Sequence, residues 1–239
     1  MIPLKDDNPT SSRPIVTYFL IGLCVVVFLM EIGSESFKTG YLIHRYGLIP
    51  SVLMGHGHDL LPRDFFVLPA YLTIITSMFM HGGWIHLIGN MWYMKIFADN
   101  IEDNLGSRNF IIFYILCGIG AAMAQVLTDT HSQVPMVGAS GAIGGVLGAY
   151  LINYPNARVL VLIPYIIITI IKIRALYVLG FWFILQFISS DGGVAYAAHI
   201  GGFVTGMILM LFFNKKINKK NYKPKIKRVK KVNKGPWER

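Results

Sequence analysis

The chain has 239 residues, of which 54% are hydrophobic and only 14% charged, and it carries a formal net charge of +10. A soluble globular domain has roughly 25% charged residues, so this balance excludes that class and marks an integral membrane protein. Nucleic-acid binding is not indicated either: 12 of the 22 Lys and Arg lie after Phe213, in a tail with one acid, Glu238, and no interleaved aromatic motif.

In chain order, residues 1–14 form a short polar segment, expected to be cytoplasmic, and the first long apolar run is Ile15–Ile32. Acids as well as bases precede that run and no small-residue cleavage site follows it, so it reads as a first span rather than a signal peptide. A window suited to a ~30 Å hydrocarbon core gives five more candidate spans: about Trp84–Ala98, Phe110–Leu127, Ser140–Tyr154, Ala175–Ile188 and Val194–Phe213. Gly33 to about Ala70 is a long connection with three His and scattered charges, suited to a structured first loop lying partly in the interface. Cys24 and Cys117 fall inside apolar runs and read as small hydrophobes rather than a disulfide pair.

The segment Val159–Ile171 tempts a seventh span, but it has 13 residues with a Pro inside, and Lys172 and Arg174 follow directly. We read it as an interfacial or buried connection. Six spans place both termini on one side, which the positive-inside rule makes the cytoplasm of a plasma (inner) membrane protein. Nineteen of the 22 basic residues then lie inside, and only Lys38, Arg45 and Arg63 outside. The expected fold class is an all-α, six-transmembrane-helix bundle over residues 15–213, with a disordered basic tail at 214–239 drawn to anionic lipid.

Orientation sets depth. From Ser140 to Pro155 there are about 15 residues, or ~22 Å of helix at 1.5 Å per residue, which is short for the bilayer core. Ser140, inside VGASGAIGG, is therefore expected several Å below the outer surface, preceded by irregular backbone that needs protein or water to satisfy it. His199 lies five residues past Val194 on a span running the same way, at similar depth. Gly141, Gly144, Gly145 and Gly148 on one helix, and Ala198, Gly202 and Gly206 on the other, would let the two touch. His86 and Asn90, four apart in HGGWIHLIGN, share one helix face in the same outward half. A serine, an imidazole and amide donors converging in a partly wet pocket have the composition of an acyl-transfer site.

At these residues the chain resembles the rhomboid family of intramembrane serine proteases. Between about Thr76 and Gly206 the matching pieces are TSMFMHGGWIHLIGN, FADNIEDNLGS, GASGAIGG and AHIGGFVTG. The resemblance implies Ser140 as nucleophile, His199 as general base, and His86 and Asn90 as oxyanion donors. It makes Glu102 and its neighbours structural, and the fifth span around Trp182, Gln186 and Phe187 a lateral gate. Its substrates would be transmembrane proteins cut near the outer end of a span, with no cofactor and no metal. Two departures stand out: many rhomboids have Trp-Arg where this chain reads PAYLT, and some have a Tyr, packing on the His, where this chain has Gly144. Tyr196 is a possible substitute for that Tyr.

Each residue also has a structural reading. Ser140 and His199 could be packing groups, His86 and Asn90 interhelical glue, His81 structural, and Gln186 a polar packing contact rather than a catalytic group. His56 and His58 resemble a metal clip, yet a solvated loop fits them better without further ligands at defined spacing. Asp129 and Asp191 fall in outer loops and Glu102 at the inner face, so a Ser–His dyad rather than a triad is expected. A metalloprotease would show H-E-x-x-H, whereas His81 and His86 are five apart with no Glu between. An α/β-hydrolase elbow needs Gly where Ala142 stands, and no paired internal repeats suggest a transporter. The alternative function is a proteolytically inactive relative that binds membrane clients.

Overall fold

The computed structural model describes residues 1–34, 40–56, 68–164, 168–188 and 194–216. Lys38, His58, Arg63, Asp191 and the basic tail beyond residue 216 lie outside the described residues. After strand β1 (Ile2–Asp6), helix α1 (Ile15–Ile32) is followed by two short helices of the first loop, α2 (Tyr41–Tyr46) and α3 (Pro50–Leu53). A stepped segment of 3-10 turns around α4 (Thr73–Thr76) leads into α5 (Trp84–Leu105), α6 (Ser107–Thr128) and α7 (Ser140–Asn153). Strands β2 (Arg158–Pro164) and β3 (Ile168–Arg174) precede α8 (Ala175–Ile188) and α9 (Tyr196–Lys216).

The helical class read from composition holds. Among the described residues, α1, α6 and the Tyr196–Phe213 part of α9 are long and apolar enough to cross a membrane, and α7 and α8 are shorter apolar helices. Helix α7 is apolar on every side, and a helix of that kind must be enclosed. Gly141 through Tyr150 are accordingly all buried, and α5, α6, α8 and α9 pack around α7. Large apolar side chains such as Phe19, Ile85, Leu127, Phe187 and Phe212 stay exposed on the perimeter, as expected where hydrocarbon replaces water.

Helix α5 runs seven residues past the Ala98 limit set by hydropathy, since its last two turns carry Asp99, Asn100, Glu102 and Asp103. Those polar groups are used rather than solvated. The Glu102 carboxylate, 1% exposed, accepts from the Val16 N–H at 2.9 Å, the Thr17 N–H at 2.8 Å, the Thr17 hydroxyl at 2.8 Å and the Ser107 hydroxyl at 2.6 Å. It thereby caps the first turn of α1, where backbone donors lack intrahelical partners and a negative charge is favoured. Asp103 accepts from the Ser11 and Ser12 N–H groups at 2.9 and 2.8 Å. Gly106, at φ +75°, then reverses the chain into α6.

The segment Val159–Ile171 is not a span, and it is more ordered than a plain connection. It forms most of a β2–β3 hairpin, and β1 adds to the other side of β2 to give an antiparallel sheet of order β1-β2-β3. Ile2 pairs with Leu162, Asp6 with Val159, and Val161 with Ile171. Val159 and Val161 turn inward and are fully buried. The sheet sits at the C-terminal end of α7, where the Tyr150 hydroxyl donates to Asp6 at 2.6 Å and Asn100 Nδ2 donates to the same oxygen at 3.0 Å. Burial raises the Asp6 carboxyl above its usual range, more than the Tyr150 hydrogen bond lowers it. The Ala175 N–H donates to the Ala157 carbonyl at 2.8 Å, so α8 starts directly from the sheet.

At the opposite end of α7 the first loop is pinned down. Leu48 exchanges two backbone hydrogen bonds with Met136 at 3.0 and 2.7 Å, and the Thr76 hydroxyl donates to the Tyr46 carbonyl at 2.6 Å. These contacts anchor the loop next to PAYLT, where the chain lacks Trp-Arg.

Candidate active site

Three local features bring the site together. The first is backbone approach: a methyl at Gly202 would overlap the Gly141 carbonyl, one at Gly206 the Gly145 carbonyl, and one at Gly144 would lie 2.9 Å from the His199 carbonyl. Glycine at these places lets α7 and α9 meet backbone to backbone. The second is the turn before α7. Gly138 adopts φ +122°, which side-chain-bearing residues rarely take, and its N–H donates to the Ser77 carbonyl at 2.8 Å. The third is Gln125 of α6, whose Oε1 accepts the Ala198 N–H at 3.2 Å and holds the first turn of α9.

With α7 and α9 in contact, Ser140 Oγ lies 2.8 Å from His199 Nε2. Both residues are half-buried and line a cavity of about 1050 Å³ that His86, Asn90 and the loop before α7 also border. Ser140 is the first residue of its helix, so its own N–H has no intrahelical acceptor and points toward the helix start.

Asn90 is 8% exposed, and its Nδ2 is buried without a hydrogen-bond partner. A buried donor left unpaired costs about 1–3 kcal/mol, so a group of this kind at a cavity is poised for an acceptor that arrives with a ligand. His86 Nδ1 accepts the Gly82 N–H at 3.4 Å, which leaves the proton on Nε2. That nitrogen faces the Gly138 turn, where an added Cβ would sit 2.6 Å from it and 3.6 Å from Asn90 Nδ2. Two side-chain donors and one helix-start N–H therefore border the same cavity as Ser140.

His81 stands behind this group. It is fully buried, its N–H donates to Glu31 Oε2 at 3.3 Å, and its ring meets the His86 ring edge-on at 5.1 Å. It supports His86 and does not line the cavity. Asp129 turns away to accept the His131 N–H at 3.0 Å. His56 stacks on His131 at 4.4 Å, and among the described residues no cluster of three or more His, Cys, Asp or Glu is arranged to hold a metal.

The His199 ring has neighbours that sequence reading undervalued. Trp182 lies 5.8 Å away at 37°, and Tyr196 meets it edge-on at 6.2 Å, so Trp182 shares with Tyr196 the place left open by Gly144. Gln186 Oε1 is 2.8 Å from His199 Nδ1. The sequence signal for this contact is a lone amide in an apolar helix, which by composition alone fits a polar packing contact.

A rhomboid domain model matches residues 69–216. Rhomboid protease GluP of Bacillus subtilis is 31% identical over 199 residues, covering 82% of this chain and 34% of that protein. RHOMBOID-like protein 5 of Arabidopsis thaliana is 29% identical over 143 residues, covering 57% of this chain and 42% of its own length. For Rhomboid protein 1, mitochondrial, of Saccharomyces cerevisiae the figures are 26% over 175 residues, with 67% and 46% covered. The chain thus spans between about a third and a half of the length of these relatives.

Proposed function

The chain belongs to the rhomboid family, and from that premise we propose that it is an intramembrane serine endopeptidase working through a Ser140–His199 dyad. The observation that carries this reading is the 2.8 Å contact between Ser140 Oγ and His199 Nε2 at a cavity that also holds an unpaired amide donor.

His199 accepts the Ser140 proton as Oγ attacks a peptide carbonyl carbon. The tetrahedral oxyanion receives hydrogen bonds from His86 Nε2, Asn90 Nδ2 and the Ser140 N–H. Collapse expels the amine, which takes the proton from His199, and water entering the cavity hydrolyses the acyl-enzyme by the same base. Substrates are transmembrane proteins whose chain unwinds near the Ser140 end of a span. Support for that choice comes from the family and from a cavity that brings Ser140, His199, His86 and Asn90 together in a largely apolar molecule.

The topological part of the proposal places both termini in the cytoplasm of a plasma (inner) membrane, with the basic tail on anionic lipid. In its favour, β1 and the end of α9 lie at one end of the bundle: Asp6 meets Tyr150, and the Phe213 ring lies 6.3 Å from that of Phe113. The charge distribution of the sequence agrees.

The test is reconstitution of the full chain in vesicles with a labelled single-span substrate, beside Ser140→Ala and His199→Ala. Each substitution should lower turnover by about 10³-fold or more while leaving the fold intact. Cleavage surviving both would refute the dyad. Substrate captured but never cut by the unaltered protein would favour a client-binding role instead.

A further inference from the structure

We propose that Gln186 of α8 is a positioning residue for the base: it accepts the His199 Nδ1–H and so holds the imidazole in the one tautomer that can take the Ser140 proton. This inference rests on the dyad reading above and deepens it.

A chain of hydrogen bonds, its polarity set at the far end, links α8 to the base. Gln186 lies 2.7 Å from the Trp182 carbonyl oxygen, which can only accept. The amide end facing Trp182 must therefore be the nitrogen, Nε2, and the end facing His199 must be Oε1. An amide oxygen can only accept, so His199 Nδ1, 2.8 Å away, carries the proton. A neutral imidazole with its proton on Nδ1 presents a lone pair at Nε2, and that nitrogen lies 2.8 Å from Ser140 Oγ. One backbone carbonyl of α8 thus determines the direction of proton transfer between α7 and α9.

Burial strengthens the effect. Gln186 is 8% exposed, so its carbonyl meets little competing water, and a buried hydrogen bond resists reorientation more than an exposed one. The tilted Trp182 indole restricts the other degree of freedom of the ring. From the elements packed around it, His199 faces Ser140 of α7, Trp182 and Gln186 of α8, Tyr196 of its own helix and, across the cavity, His86 of α5. Gln125 of α6 bonds to the preceding residue. No carboxylate hydrogen-bonds His199 among the described residues, so the orienting task that an Asp performs in a triad falls here to a neutral amide. A neutral acceptor orients the ring without storing a negative charge inside the membrane, where one is costly.

The experiment compares wild type, Gln186→Leu and Gln186→Glu as full chains in vesicles, measuring kcat, KM and the pH profile of cleavage of a labelled single-span substrate, with Ser140→Ala and His199→Ala alongside. Gln186→Leu keeps the side-chain volume and removes the acceptor; its kcat should fall on the order of 10- to 100-fold, as for other partners that orient a working imidazole, with KM within about twofold. Gln186→Glu keeps an oxygen acceptor opposite Nδ1, and its second oxygen faces the Trp182 carbonyl, which favours the protonated acid donating there as the amide did, so kcat should stay closer to wild type than in Gln186→Leu. A packing role would not separate the Leu and Glu variants in this way, since both side chains are close to glutamine in size. Should the Leu variant fail to fold, Gln186→Met, unbranched and without the amide acceptor, takes its place: a kcat lowered at least about 10-fold on the same scale supports the proposal, and one within about twofold of wild type overturns it. Full activity in Gln186→Leu, with both dyad variants inactive, would overturn the positioning role and leave the dyad standing. Activity in His199→Ala would overturn both.

Discussion

The two ends of the bundle treat buried polar groups in opposite ways. At the far end of α5 the Glu102 carboxylate accepts four hydrogen bonds from α1 and α6. Three turns earlier on the same helix, the Asn90 Nδ2 donor is buried and has no partner. Both side chains are buried, and both lie in a stretch where polar groups are expensive. A saturated polar group ties helices together; an unsaturated one beside a cavity keeps its capacity for something that binds. On the proposed reading, the contrast separates residues that hold this fold from residues that act.

Substitutions at the two ends should therefore fail differently. Asn90→Ala removes a donor that contributes nothing to the empty protein, so thermal stability should hold or rise slightly while turnover of a reconstituted substrate drops about 100- to 1000-fold. An equal loss of stability and turnover would make Asn90 a structural group. Glu102→Ala should do the reverse. It strands two backbone N–H groups and two hydroxyls, costing about 3–5 kcal/mol; monodisperse yield and melting temperature should fall, and turnover per folded molecule should stay near wild type. Normal stability with lost turnover would contradict that assignment.

The smallest expected effect concerns Asp6, at the sheet. Because burial raises its carboxyl above the usual range, the folded state holds this proton more tightly than the unfolded chain does. Its contribution is then complete below the unfolded value of about 4 and shrinks as pH rises through the higher folded value. Asp6→Asn keeps an acceptor for Tyr150 and cannot ionise, so melting temperature should lose part of its decline between mildly acid and neutral pH. An unchanged slope would mean that Asp6 does not report on the sheet.

What could be read in advance follows from range. Helices α1 and α8 end where composition alone puts them, at Ile15–Ile32 and Ala175–Ile188, since an apolar run bounded by polar residues is a local property. Helix α5 was read short because Asp99 to Asp103 look like loop until Ser11, Ser12, Val16 and Thr17 are brought to them. Strand β2 is apolar on both faces, and β3 alternates only over Ile171–Arg174, so β-branched residues and that short alternation are the only local hints. Pairing of Ile2 with Leu162 joins positions 160 residues apart and leaves no local mark. At the site, Ser140, His199, His86 and Asn90 were placed together by helix direction and four-residue spacing. Gln186 was seen but undervalued, because the polarity of its amide depends on a carbonyl one turn away and a ring on another helix.

The central claim is that Ser140 is a nucleophile made reactive by His199. It is tested most directly by treating the reconstituted protein with a fluorophosphonate, which phosphonylates activated serines, and locating the adduct by peptide mass spectrometry. The account predicts a single adduct on the peptide carrying Ser140, forming at a rate that collapses in His199→Ala. No adduct at Ser140, or one that forms as fast without His199, would contradict it.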